Sequence, residues 1–179
     1  MADFAANHSE VACDVIDEMI RSAALELFRA EAPRLTPTRV LHGALLADQQ
    51  RFALVARVRF SGAGGAGVLA LGCAEEFQAG AIGPETPNVA WVVERASALA
   101  LRIEKRFRQF GIAVRFEAPE ALSELGREVG SETPSLTTTH LFDGENGQLL
   151  VRLDGQLDIE RIASAGDVPL RDEGDIILF

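Results

Sequence analysis

A long amphipathic helix is the strongest signal in this sequence. Apolar residues recur at spacings of three and four from residue 89 to residue 110, so one side of the helix is apolar over about six turns. Asn88 can cap the start of this helix, and Gly111 stands where a helix-ending glycine is expected. The pattern therefore predicts a helix with one whole side in the core.

Strand-like alternation precedes this helix. In residues 51–60 the apolar side chains fall on one face and three arginines on the other, which indicates a half-buried strand. Residues 38–47 come just before it, across the short polar stretch 48–50, and this closeness predicts an antiparallel hairpin between the two strands. The glycine-rich run 62–67 then leads, as a turn, into a third short strand at 68–71.

The other elements complete an α+β order. They are a first helix at 10–30 capped by Ser9, a short broken helix within 75–87, a strand at 112–117, a short helix or loop at 119–129, and two hairpin strands at 138–142 and 148–153. Helices grouped with hairpin-joined strands indicate an α+β fold with an antiparallel sheet. We expect the long central helix and the N-terminal helix to pack together on that sheet.

Charge and composition narrow the class of protein. Acidic residues outnumber basic ones by 27 to 17, for a formal net charge of −10, which argues against a nucleic-acid partner. No apolar run approaches the roughly 20 residues of a membrane helix, and the first residues lack a signal-peptide pattern, so we expect a cytoplasmic protein without membrane insertion. We expect one domain in residues 1–153 and an acidic C-terminal extension in residues 154–179.

Few residues are arranged for metal or nucleophilic chemistry. Cys13 and Cys73 have no paired spacing and the three histidines stand alone, so we expect neither a metal site nor a cofactor. Gly62, Gly64 and Gly67 satisfy the G-x-G-x-x-G dinucleotide fingerprint, which leaves a nucleotide-binding enzyme open as one alternative. That fingerprint requires a helix after the loop, whereas the next residues are typical of a strand, so a glycine turn is favoured.

The side of the long helix opposite its core face has the composition of a contact surface. At 100° per residue, this stripe holds Glu94 together with Trp91, Ala98, Leu101 and Lys105. A single carboxylate between the only tryptophan of the chain and a leucine is unusual for a side that faces water. We therefore predict that the stripe binds a partner; the alternative is that the tail or the first helix of the same chain covers it.

The order of elements resembles that of the CheX-type chemotaxis phosphatases, the CheC/CheX/FliY-like family. The resemblance spans roughly residues 11–153, and a motif aligns within residues 91–118. In that family an Asp or Ser precedes an E-x-x-N motif on an exposed long helix. Its Glu contacts a lysine of a CheY-type response regulator, and its Asn orients the water that attacks the aspartyl phosphate. The resemblance implies that Glu94 and Ser97 occupy these two catalytic positions.

Departures from the motif imply that catalysis is lost or weak. Ser97 replaces the Asn, Ala90 replaces the preceding Asp or Ser, and Leu101 replaces the small residue that usually follows. A serine hydroxyl is shorter than a carboxamide and lacks its paired donor and acceptor, and even about 1 Å of misplacement is costly in such a reaction.

The resemblance therefore implies a bacterial signalling protein that binds a receiver-domain response regulator or another partner protein, as a pseudo-phosphatase. It also implies a homodimer, because members of the family commonly pair through their sheets. An active phosphatase in which Ser97 takes the place of the Asn is the second alternative.

Overall fold

A computed structural model describes residues 2–43, 52, 54–82, 89–122 and 136–164. The elements within these residues are α1 (Ala2–Phe28), β1 (Thr36–His42), β2 (Leu54–Gly62), β3 (Gly65–Cys73), α2 (Glu75–Ile82), α3 (Val89–Gln109), β4 (Arg115–Phe116), β5 (Glu120–Leu122), β6 (Leu136–Gly144), β7 (Gly147–Leu157) and α4 (Ile159–Ser164). Every strand pairing is antiparallel, so the predicted α+β fold with an antiparallel sheet is confirmed.

All of these strands belong to one sheet. Its order is β1-β6-β7-β3-β2-β4, and β5 also pairs with β2. The two hairpins β2-β3 and β6-β7 form the centre, where β3 lies beside β7. The predicted hairpin near the end of the chain is confirmed, since Gly144 pairs with Gly147 across a two-residue turn.

The helices pack on one face of this sheet and form the main core with it. Fully buried side chains come from both layers, namely Phe28, Phe60, Phe107, Phe142, Ile16, Met19, Ile20, Leu69, Leu71, Leu99, Ile103 and Ile112. The predicted long helix is confirmed as α3, and Gly111 follows it with φ of 72°, the left-handed conformation that ends many helices. A second, smaller apolar cluster of Phe52, Val55, Ala70 and Leu150 is also buried.

The predicted hairpin between the first two strands is wrong. β1 pairs with β6, and Val40 lies opposite His140, a residue one hundred positions later in the chain. β2 instead forms a hairpin with β3 through all nine of its residues. The prediction joined the nearest strands in sequence, but pairing is decided by which apolar faces meet in the core.

The glycine-rich run is a strand turn and part of a strand. Gly62 pairs with Gly65 across a two-residue turn, and β3 continues through Gly67 to Cys73 without a helix. A Cβ at Gly67 would stand 2.2 Å from the Asp154 carbonyl oxygen, so this glycine permits close packing against β7. The dinucleotide alternative needs a helix N-terminus after the loop, and the hairpin leaves none there.

Several element boundaries also differ from the prediction. α1 begins at Ala2, so Ser9 lies inside the helix and is not its cap. Part of the stretch expected as a helix or loop is the short strand β5, and the strand expected at 112–117 is reduced to β4. The expected domain boundary after residue 153 falls inside β7, and Ile162 of the following α4 is buried in the main core. The turn at 48–50 lies outside the described residues.

Candidate functional site

Charged contacts on both flanks fix how α3 is rotated on the sheet. On the α1 side, the Arg106 guanidinium donates to the Met19 carbonyl oxygen at 3.1 Å and to the Glu26 carboxylate at 2.7 Å. On the other flank, the Glu104 carboxylate accepts from the backbone N–H of Phe116 at 3.2 Å. Arg106 and Glu104 are both buried. Rotation of the helix about its axis would therefore break these hydrogen bonds and leave buried charges without partners.

We define the outer face of α3 as Glu94, Ser97, Ala98, Leu101 and Lys105. The Glu94 side chain is 70% exposed, Leu101 is 59% exposed, and Lys105 is exposed as well. Ser97 and Ala98 are half-buried. Leu101 has the largest exposed fraction among the large hydrophobic residues that the structure describes as exposed. An exposed carboxylate and an exposed apolar side chain therefore lie two turns apart on the same side of the helix.

Trp91 does not belong to this face, and its predicted exposure is wrong. It is only 5% exposed and lies in the main core. Its ring centroid is 6.2 Å from that of Phe28 in α1, and Phe28 in turn makes an edge contact with Phe77 of α2. The end of α1 thus covers the first turn of α3 on this side. The apolar periodicity of a helix does not reveal which neighbouring elements cover one end of that helix.

An ion pair lies next to Glu94, on the side of Trp91. The Arg95 guanidinium lies 2.6 Å from Glu31, in the segment after α1, and 3.7 Å from the Glu94 carboxylate. The same guanidinium lies over the Trp91 ring, 5.9 Å from its centroid. Burial raises the pKa of Glu31; the positive charge of Arg95 opposes this shift and the negative charge of Glu94 adds to it. The position of Glu31 was not predictable from local sequence patterns, because sixty-three positions separate it from Glu94.

The chemistry available to the outer face is recognition and weak water binding. Glu94 presents an acceptor for a cationic group, and Leu101 with Ala98 offers apolar contact around it. Ser97, one turn after Glu94, supplies a single neutral hydroxyl, which can hold a water but cannot take a proton from it near neutral pH. These five side chains include no cysteine, so they offer no thiol nucleophile, and Glu94 is their one carboxylate.

A second polar cluster, which was not predicted from the sequence, joins α1 to β1 and β6. The Asp17 carboxylate lies 3.0 Å from Nε2 of His140 and 3.1 Å from Nε2 of His42, and Thr138 donates to it at 2.7 Å. Burial would raise the pKa of Asp17, but the hydrogen bonds from His140 and Thr138 and the nearby histidines outweigh it and lower that pKa. His140 is almost fully buried and stacks with Phe142.

Neither cluster has the arrangement of a metal centre. Within the described ranges, no group of three or more histidine, cysteine, aspartate or glutamate residues is placed to hold a metal ion. Burial raises the pKa of Cys73 to about 12, so this thiol is an inert core group. None of the helices in the described part of the chain is long and apolar enough to cross a membrane.

Comparison with known proteins gives matches in structure. No family model and no curated protein matches the chain. Its fold is similar to that of a CheC-like superfamily protein from Shewanella sp. PV-4, with a TM-score of 0.67 and 12% identity, covering 79% of this chain and 97% of that one. It is also similar to the chemotaxis protein CheX from Vibrio vulnificus, with a TM-score of 0.64 and 11% identity, covering 79% and 99% of the two chains.

A third match comes from the CheX–CheY–BeF3–Mg2+ complex of Borrelia burgdorferi. Its TM-score is 0.57 at 13% identity, and it covers 78% of this chain and 96% of that one. At such identities the similarity concerns the fold. These three proteins are matched over 97%, 99% and 96% of their own lengths. The chain therefore has the fold of the CheX and CheC-like chemotaxis proteins, as the resemblance in its sequence implied.

Proposed function

We propose that this protein is a chemotaxis-type signalling protein that binds the receiver domain of a response regulator through the outer face of α3. In this proposal its phosphatase activity is lost or slight. The observation that carries the proposal is the exposure of both Glu94 and Leu101, two turns apart on the same side of a helix that its contacts hold in a fixed rotation. The homodimer stays a prediction from the resemblance.

The composition of the outer face supports a protein partner. Leu101 and Ala98 can bury apolar area, while Glu94 and Lys105 supply charges of both signs at the edge of that area. Such a centre of apolar contact with a charged rim is typical of transient protein interfaces. The fold supports a receiver domain as the partner, because one structural neighbour was solved in complex with CheY.

The proposal of weak catalysis depends on Ser97. Hydrolysis of an aspartyl phosphate depends largely on positioning a water in line with the phosphorus. The Ser97 hydroxyl reaches less far than a carboxamide and offers one rotatable donor in place of a fixed pair of donor and acceptor. A half-buried serine in this position is therefore expected to leave the attacking water poorly aligned.

Timing phosphate loss from a phosphorylated receiver domain tests the catalytic part. We expect the wild type to leave the decay rate within about twofold of the unassisted rate, whereas Ser97→Asn accelerates it at least about tenfold. The control is the double variant Glu94→Ala with Ser97→Asn, which should lose that acceleration. Tenfold acceleration by the wild type, abolished in Ser97→Ala, would instead support the active phosphatase.

A further inference from the structure

Arg95 stands between two carboxylates that belong to different parts of the fold. Its guanidinium is 2.6 Å from Oε1 of Glu31 and 3.7 Å from Oε1 of Glu94. The first distance is that of a charge-assisted hydrogen bond, and the second is that of a looser ion pair. In the structure the positive charge of Arg95 is therefore committed mainly to Glu31.

The ion pair between Glu31 and Arg95 is partly shielded from solvent. The side chains of Glu31 and Arg95 are 20% and 24% exposed, while that of Glu94 is 70% exposed. Among the described residues, Oε2 of Glu31 and Nε of Arg95 have no hydrogen-bond partner. The pKa of Glu31 is raised by burial, so its charge is maintained largely by Arg95. The two groups therefore depend on each other more than either depends on Glu94.

We infer that Glu31 is a positioning residue, which holds the Arg95 guanidinium on the α1 side and so keeps the Glu94 carboxylate open to a cationic group of the partner. If the charge of Glu31 is removed, Glu94 becomes the one anionic group that Arg95 contacts among the described residues. Arg95 then shifts toward Glu94 and neutralises it. This inference rests on the proposed function, because it concerns the availability of Glu94 to a partner.

The physical basis is competition between two acceptors for one cation. A fully charged carboxylate binds a guanidinium more strongly than a neutral amide of the same shape does. Glu31→Gln keeps the shape and the acceptor oxygen but removes the charge. Glu94 then becomes the stronger of the two acceptors for the Arg95 guanidinium. The loss of a nearby negative charge also lowers the attraction of this surface for a cationic partner.

The only tryptophan of the chain reports the position of Arg95 without any partner. The guanidinium lies 5.9 Å from the centroid of the Trp91 ring, close enough for a cation–π contact. We expect the removal of the cation in Arg95→Met to change the fluorescence of Trp91 and so to give the reference spectrum. We expect the spectrum of Glu31→Gln to move toward this reference, because Arg95 leaves the ring. Equal spectra for wild type and Glu31→Gln, with a distinct spectrum for Arg95→Met, would overturn the inference.

Binding of a phosphorylated receiver domain then tests the consequence. We expect Glu31→Gln to weaken binding at least about fivefold, and the double variant Glu31→Gln with Arg95→Met to return to within about twofold of the wild type. A merely structural role of Glu31 predicts the opposite, since the double variant would bind no better than the single one. Thermal unfolding of each variant checks that the fold is intact.

The two readouts separate this inference from the proposed function. If the wild type binds no receiver domain, the proposed function fails, and the Trp91 spectra alone decide whether Glu31 holds Arg95. If the wild type binds and Glu31→Gln binds equally well, the inference fails while the proposed function stands. Raising the salt to about 0.5 M should shrink the difference between wild type and Glu31→Gln, because the effect is electrostatic.

Discussion

Asp17 of α1 contacts two neighbouring strands at one edge of the sheet. Its carboxylate accepts from Thr138 of β6 and contacts His140 of β6 and His42 at the end of β1. β1 is an edge strand whose other side chains are mostly exposed, so it has little apolar burial to stabilise it. Asp17 therefore supplies a polar attachment of this edge to α1.

Removing the charge of Asp17 should lower stability in a pH-dependent way. The pKa of Asp17 is lowered in the folded chain, so its contribution is present above its ordinary value of 3.8 and is lost as the pH falls through the folded value. We expect Asp17→Asn to cost about 2 kcal/mol of unfolding free energy at pH 7 and progressively less below about pH 4. Urea unfolding at several pH values measures this difference.

The control for this prediction is Asp14→Asn on the same helix, where the side chain is exposed. It should change the unfolding free energy by less than about 0.5 kcal/mol at either pH. A constant deficit for Asp17→Asn between pH 7 and pH 3 would show that the loss comes from packing, and would contradict the assignment of a linked proton.

At the scale of an element, the glycines of β3 set how closely the central strands approach. Besides the Asp154 carbonyl oxygen, a Cβ at Gly67 would stand 2.6 Å from Cζ of Phe60. We expect Gly67→Ala to lower the unfolding free energy by about 2 to 3 kcal/mol, because backbone of β7 would have to move. Ala66→Val is the matched control, since Ala66 is exposed on the same strand. A loss of similar size in both variants would contradict this explanation.

Elements were predictable where one segment carries its own pattern. The apolar periodicity of α3, its terminal Gly111 and the turn residues before Gly147 are local signals, and each element lies close to its predicted position. The start of α1 was less predictable, because serine favours N-caps but is also tolerated inside helices, where Ser9 lies. The two-residue strand β4 and the three-residue strand β5 are too short to carry a periodic pattern.

At the scale of the whole molecule, local sequence patterns do not reveal which segments, far apart in the chain, contact each other in the fold. The pairing of β1 with β6, the contact of Trp91 with Phe28 of α1, and the approach of Glu31 to Arg95 all join segments that are far apart in the chain. Each depends on the assembled core, and no local propensity encodes it. For this reason the open positions of Glu94 and Leu101 were predictable from one helix, whereas the ion pair beside Glu94 was not.

The measurement that most directly tests the proposed function is the affinity for a phosphorylated receiver domain of two variants that each place a carboxylate at an exposed apolar site. Leu101→Asp alters the outer face of α3, and Val40→Asp alters the distant edge strand β1, where Val40 is 40% exposed. We predict that Leu101→Asp weakens binding at least about tenfold while Val40→Asp stays within about twofold of the wild type. Unchanged binding by Leu101→Asp, in a variant that unfolds like the wild type, would contradict the account.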